Sequence, residues 1–362
     1  MMPLETQEKK LILKILLFGL LNLGILAAVL CYFSGRDRGV RLKNWETESN
    51  LLMMGENEHY GCALLGTSRG RVFSRDGNHL MLEEILNERV INLAKGGGGG
   101  LMPAEMHLSY FFSRGNTADH IIYLVDPWVF FAPINNEDND FFLRDEPFEL
   151  FILWKLLCDR YPSDRISSYL QMIAEDDWEG ISRYAAPGLT ENTLQAIEGE
   201  KLEEARQYYL ETYRRENFEK YSRVVDAINA LAEKHGSRIT YVMLPILIPD
   251  FPGVDEVDRK LREAASREDH VLYYNFVTSM QARQFFYDHM HFNKTGIAYF
   301  TRNCLYPILH GTVPALDQEE QSPLAGSTDN GPPASNRPTA SPQSAANPQE
   351  APIEARPVLL PQ

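Results

Sequence analysis

No Cys-x-x-C pair occurs in this chain, and its four cysteines, Cys31, Cys62, Cys158 and Cys304, follow no regular spacing. That excludes a zinc-ribbon framework and a dense disulfide scaffold, both of which need cysteines at short, repeated intervals. The pattern leaves the redox compartment open. Basic residues are short as well, with 35 Lys and Arg against 50 Asp and Glu and a formal net charge of -15. A protein that grips phosphate backbones needs basic stripes, so nucleic acid is excluded as the main partner. Internal repeats are absent too. What the chain does have is apolar material, 44% of 362 residues, enough to bury the core of one large domain or two small ones.

Long hydrophobic runs are missing with one exception. From Ile15 to Phe33 the chain carries no charge, and the run is flanked by Lys9, Lys10 and Lys14 before it and by Arg36, Arg38, Arg41 and Lys43 after it. This reads as a transmembrane helix. The rival reading is a cleaved signal peptide, against which stand a stretch longer than the usual ~7–15-residue apolar region and the lack of a small-x-small cleavage site near its end. Basic residues are nearly balanced on the two sides, so they do not set the orientation. The expected organisation is a short N-terminal segment over 1–14, an anchor over 15–33, a polar juxtamembrane linker over 34–58, a folded domain over 59–311 and a tail over 312–362. The tail holds ten of the 21 prolines and little apolar material, too little to offset the entropy of ordering, and is expected to be disordered.

Within the domain, apolar runs of strand length alternate with helical patterns. Strands are expected at Tyr60 to Leu65, Arg89 to Leu93, His120 to Val125, Arg238 to Leu244 and Val271 to Phe276. Helices are expected near Asn78 to Asn87, Pro103 to Phe112, Val254 to Ser266 and after Asn293. This alternation predicts an α/β fold with a parallel sheet of about five strands covered on both faces. A long helical insertion, 146–235, interrupts it between strands 3 and 4; its last helix places Val224, Ile228 and Leu231 on one face before Gly236. The insertion reads equally as a lid, a docking surface or simple packing. Its aromatic residues Trp154, Tyr169, Trp178, Tyr208 and Tyr209 are candidates for a sugar-stacking groove or for core.

Two segments carry chemistry. The first strand runs into Gly66-Thr67-Ser68-Arg69-Gly70, a serine in a glycine-flanked turn at the carboxyl end of a strand, where open α/β sheets place their sites. Far downstream, Asp288-His289-Met290-His291-Phe292-Asn293 precedes the last helix, with Asn293 available as its N-cap. A carboxylate three residues before an imidazole in one loop can fix its tautomer, and the imidazole can then take a proton from a serine hydroxyl. The same cluster of Asp288, His289 and His291 also permits a metal site, but no further ligand motif supports one.

Taken together, the strand with Gly-x-Ser, the glycine-rich loop Gly96 to Gly100 after the second strand, and the late Asp-x-x-His-x-Asn-x-x-Gly resemble the SGNH/GDSL hydrolase superfamily over 59–311, apart from the insertion. The resemblance implies a three-layer, flavodoxin-like fold and a triad of Ser68, Asp288 and His291, with no cofactor and no metal. The chain departs from the family pattern in two places. Gly-Asp-Ser is here Gly66-Thr67-Ser68, and the third block reads Leu124-Val125-Asp126-Pro127-Trp128, without the Asn that would donate to an oxyanion. Backbone N–H groups of Ser68 and of Gly96 or Gly97 are left to form that hole, and Arg69 and Asp126 are candidates for substrate or site support.

Gly-Thr-Ser-Arg, a strand ending in Asp-Pro and an N-terminal anchor are similar to the cell-envelope acyl-transfer branch that includes the teichoic acid D-alanyl transfer and alginate O-acetylation proteins. That likeness implies a single-pass protein of the cell membrane with its catalytic domain on the extracytoplasmic face, periplasmic or outer. Its implied partners are an acyl donor, a glycan acceptor and a multispanning membrane acyltransferase. The expectation is an O-acyltransferase working through an acyl-Ser68 intermediate. An esterase or deacetylase of the same type, and a non-catalytic scaffold for a membrane complex, are the alternatives.

Overall fold

Short runs of apolar, β-branched and aromatic residues form five strands in the computed structural model, which describes residues 6–41, 54–96, 99–139, 148–175 and 188–314. These are β1 (His59–Gly66), β2 (Val90–Asn92), β3 (Thr117–Val125), β4 (Arg238–Met243) and β5 (Val271–Asn275). All neighbours pair in parallel, in the order β2-β1-β3-β4-β5. The fold is α/β, with the five-stranded parallel sheet expected from the alternation.

The helices, in chain order, begin with α1 (Thr6–Arg41), α2 (Ser68–Arg71), α3 (Asn78–Leu86) and α4 (Leu101–Ser113). Between β3 and β4 lie α5 (Leu150–Cys158), α6 (Ser163–Glu175), α7 (Gly199–Thr212) and α8 (Phe218–Lys234). The chain closes with α9 (Val254–Arg267), α10 (Lys294–Phe300) and α11 (Tyr306–Leu309).

Side chains on a strand alternate between faces, so each strand feeds two cores. Ala63, Leu65, Ile121, Tyr123, Ile239 and Tyr241 enter one, with α4, α8 and α9 packed over them. Cys62, Leu64, Ile122, Leu124 and Val242 enter the other, covered by α3, α10 and α11. Helix periodicity decides which faces do the covering. In α9, Val257, Leu261 and Ala264 are buried, while Asp255 and Glu256 in the first turn and Arg267 in the last suit the helix dipole. In α8 the buried face is centred on Tyr221, Val225, Ile228 and Ala232, with Val224 and Leu231 at its margins. The apolar stripe is wider than three aliphatic residues indicate, because a tyrosine and an alanine complete it.

The segment between β3 and β4 reaches both faces: Ile152, Leu156 and Tyr169 belong to the first core, Leu194 and Leu202 to the second. Asp76, before α3, ties it down by accepting from the backbone N–H of Gly188 (2.9 Å) and Thr190 (2.8 Å) and from the Thr190 hydroxyl (2.7 Å).

Helix α1 is long and apolar enough over Gln7–Arg36 to cross a membrane, by length and composition, a test a signal sequence also passes. It continues to Arg41, past the point where a polar linker was expected to begin. Its C-terminal part meets the rest of the protein: Leu30 and Phe33 pack against the first core, and the Ser34 hydroxyl donates to Glu149 at 3.0 Å. Met54 is also buried. The remainder of the expected linker, 42–53, and the tail from 315 onward lie outside the described residues.

Candidate active site

The carboxyl ends of the strands converge on Ser68. Gly66 ends β1 with φ of +148°, and a Cβ there would stand 2.8 Å from the carbonyl oxygen of Leu124 on β3, so only glycine fits the turn. Thr67 then caps α2, its hydroxyl accepting from the Arg69 N–H at 3.3 Å. Ser68 opens that short helix and is partly exposed. Beyond β2 the chain continues beside β1, with the Lys95 N–H donating to the Gly66 carbonyl at 2.9 Å, which brings Gly96 to the level of the serine turn. Gly97 lies outside the described residues.

The opposite wall is a tight reversal. Phe286 and Phe292 form an antiparallel bridge, and the Tyr287 N–H donates to the His291 carbonyl at 3.1 Å, so Asp288 and His291 project from one small loop. Ser68 Oγ and His291 Nε2 are 3.0 Å apart. His291 Nδ1 lies 2.9 Å from Asp288 Oδ2 and 3.1 Å from Oδ1. Asp288 Oδ1 also accepts the backbone N–H groups of Met290 (2.8 Å) and His291 (2.7 Å). Desolvation alone would raise the Asp288 carboxyl; the hydrogen bond and charge of His291 and the two backbone donors outweigh it and hold the group below the usual carboxylate range. Asp288 therefore stays ionised and can keep the imidazole in the tautomer whose Nε2 accepts from a hydroxyl. The Tyr287 ring stacks on the imidazole at 5.5 Å between centroids.

The loop is braced from below. Asn293 is buried, and its side chain accepts from the Gly296 N–H at 2.9 Å while donating to the carbonyls of Gln284 (2.9 Å) and Phe286 (3.3 Å). At Gly296 a Cβ would stand 2.1 Å from the Phe285 carbonyl oxygen, so α10 can begin this close to the loop only with glycine there. Both ends of the Asn-x-x-Gly spacing thus have a structural reason.

Arg69 and Asp126 sit close to the serine, and both are buried. Arg69 donates Nε to the Met290 carbonyl at 3.2 Å and an Nη to the Pro245 carbonyl, linking the turns after β1 and β4 to the histidine loop. Asp126 caps the turn after β3, accepting from the Trp128 N–H at 3.4 Å. Burial pushes its carboxyl up, the positive charge of Arg69 opposing the shift. Burial likewise lowers Arg69, opposed first by Asp126. The two sense each other's charge, but the hydrogen bonds of Arg69 go to backbone carbonyls. Such acceptors carry no sequence signature, so this bracing was invisible before the structure.

The aromatic candidates separate. Tyr169 is core, its oxygen accepting the Glu149 N–H at 2.7 Å, and Trp154 lies exposed on α5. Trp178 lies outside the described residues. Tyr209 packs against Trp128 and Phe251 at 4.8 Å from each and senses the charges of Asp126, Arg69 and Asp288. Tyr208 is half exposed beside it. His289 Nε2 accepts from the Glu198 N–H at 3.4 Å, which engages it with the segment before α7.

No family model matches this chain, and no curated protein matches it. Among solved structures, it is similar to a Bacteroides fragilis NCTC 9343 protein to which an acylhydrolase activity has been ascribed. The identity is 8% over 69% of this chain and 86% of that one, with a TM-score of 0.34, an overlap too loose to carry fold or chemistry across.

Proposed function

We propose that the chain is a membrane-anchored serine acyl-ester enzyme of SGNH type that moves an acyl group onto a hydroxyl of a cell-envelope glycan. The observation that carries this reading is the continuous relay from Ser68 Oγ through His291 to an ionised Asp288, with separations of 3.0 and 2.9 Å. Ser68 Oγ attacks the carbonyl carbon of the acyl donor as its proton passes to His291 Nε2. The backbone N–H groups of Ser68 and Gly96 receive the oxyanion, and collapse of the adduct returns the proton from His291 to the leaving group. The acyl-Ser68 ester is then attacked by an acceptor hydroxyl whose proton His291 removes, which regenerates the free serine.

Transfer and hydrolysis share all of these groups and differ in whether a glycan or water reaches the acyl-enzyme. The apolar α1 supports action at a membrane surface; transfer, a domain outside the cytoplasm and a multispanning acyltransferase as donor partner rest on the likeness to the acyl-transfer branch. The test combines a fluorophosphonate probe with short-chain acyl esters, with and without glycan acceptors. Labelling that disappears in Ser68→Ala and falls in His291→Ala, with acylated glycan formed at the expense of free acid, is the expected result. Free acid as the sole product would reassign the chain as an esterase. A well-folded protein that neither labels nor turns over would leave it as a scaffold.

A further inference from the structure

Helix α5 reads Leu-Phe-Ile-Leu-Trp-Lys-Leu-Leu-Cys, apolar almost all the way round, as a helix in the middle of a protein or in lipid would be. Yet it is covered unevenly. Ile152 and Leu156 are buried in the first core, whereas Leu150, Leu153, Trp154 and Leu157, spaced at i, i+3, i+4 and i+7, follow a stripe whose inner part, Leu150 and Leu153, is partly buried against that core and whose outer part, Trp154 and Leu157, is exposed. Trp154 is 65% exposed and Leu157 53% exposed. The single charge of the helix, Lys155, is held beside the stripe by Glu105 (2.8 Å) and Asp159 (3.0 Å).

What adjoins this stripe is α1. Ser34 donates to Glu149, the residue before α5, and Leu30 and Phe33 pack into the same core as Leu150, Phe151 and Leu153. Glu149 also accepts from the Tyr110 hydroxyl at 2.5 Å, so the junction is fixed to α4. Before the junction, the large apolar residues of α1 from Leu11 to Val29 are exposed. That stretch covers about 28 Å at helical rise, close to the ~30 Å of a hydrocarbon core. The residues docked on the domain therefore emerge at the membrane boundary, and α5 starts at that depth. Tryptophan favours that boundary, and Arg36 follows α1's apolar run where headgroups would meet it.

We infer that the outer part of the α5 stripe, Trp154 and Leu157, lies in the lipid interface of the bilayer that α1 crosses, giving the domain a second membrane contact that fixes its pose. The partner is the lipid surface itself. This placement rests on the reading of α1 as a membrane span, and the test separates the two.

The full chain, with the exposed Cys31 and Cys158 replaced by serine, would carry a nitroxide at Leu157→Cys, Leu20→Cys or Val313→Cys in phosphatidylcholine and phosphatidylglycerol nanodiscs; Cys62 and Cys304 are buried and do not compete. Collisions with oxygen, which concentrates in lipid, are compared with collisions with a water-soluble nickel chelate. The logarithm of their ratio is expected to be positive at 157 and 20 and negative at 313. A positive value at 20 with a negative one at 157 overturns the interfacial contact alone. A negative value at 20 overturns the span and the contact together.

Discussion

The Nε of Arg69 donates to the carbonyl oxygen of Met290 at 3.2 Å, although 221 positions separate them. Arg69 follows the serine and Met290 precedes the histidine, so this bond sets the distance between the two halves of the site. A second bond from the same guanidinium, to the Pro245 carbonyl, fixes its plane. Lysine can reach one carbonyl but cannot reproduce the fork. Arg69→Lys is therefore expected to lower kcat for a short acyl ester by on the order of 10²-fold with little change in KM, as misplacement of reacting groups by about 1 Å does. Steady-state kinetics with circular dichroism as a folding control would check this; an unchanged kcat would remove Arg69 from a positioning role.

Asp288 offers a separate handle on the same relay. Its carboxylate keeps the hydrogen bonds of the Met290 and His291 N–H groups, and an asparagine oxygen retains acceptors for those. What Asp288→Asn loses is the charge that fixes the imidazole tautomer and stabilises the imidazolium. A fall in kcat of roughly 10⁴-fold with an intact loop is the expected outcome. Because the wild-type carboxyl is held below its ordinary range, it is ionised from mildly acidic pH upward, so titration of Asp288 itself adds no pH dependence to the deficit above that point. A pH-rate profile of the two proteins is the measurement.

Gly296→Ala tests why glycine stands three residues after Asn293. The added methyl meets a backbone carbonyl at 2.1 Å, a contact no rotamer change relieves. Either α10 or the Phe285 carbonyl must shift, at a cost of about 1–3 kcal/mol or more. The histidine loop hangs from the same point, since the Asn293 N–H donates to the Phe285 carbonyl at 2.9 Å. Thermal unfolding should show a lowered Tm, and serine labelling at a permissive temperature should slow in the same variant.

Much of this arrangement was legible before any coordinates. The five strands could be read because parallel strands buried on both faces are short apolar runs such as Cys62 to Leu65 and Ile121 to Val125. Ser68, Asp288 and His291 could be singled out because a glycine-flanked serine at a strand end and an Asp-x-x-His before the last helix are local patterns, and the structure brings the three side chains within hydrogen-bond distance. What could not be read depends on partners without a signature. Arg69 bonds to carbonyls, which every residue possesses. Helix α5 is apolar on both sides, so periodicity alone could not tell its core face from its outward one. Asp76 lies 114 positions from Thr190, and nothing in either local sequence announces the contact.

That last contact makes a pH-dependent prediction. Asp76 accepts three hydrogen bonds from Gly188 and Thr190, and these, aided by Arg75, hold its carboxyl below the usual range although desolvation pulls the other way. A carboxyl with a depressed folded value stabilises the protein fully above its unfolded value of about 3.9, and that contribution is lost as pH falls through the folded value. Asp76→Asn keeps the backbone conformation, since asparagine tolerates the φ of 53° found there, but replaces the charged acceptor with a neutral one. At pH 7 the variant should be less stable by about 2 kcal/mol, in the range for hydrogen bonds to charged groups. The difference should shrink below pH 4, where the wild-type carboxyl begins to take up a proton and loses the same advantage. Denaturant titrations at pH 7, 5 and 3.5 would measure it. A deficit that stayed constant across the series would mean that the carboxylate's charge is not what holds the segment from Gly188 to Thr190 against the start of α3.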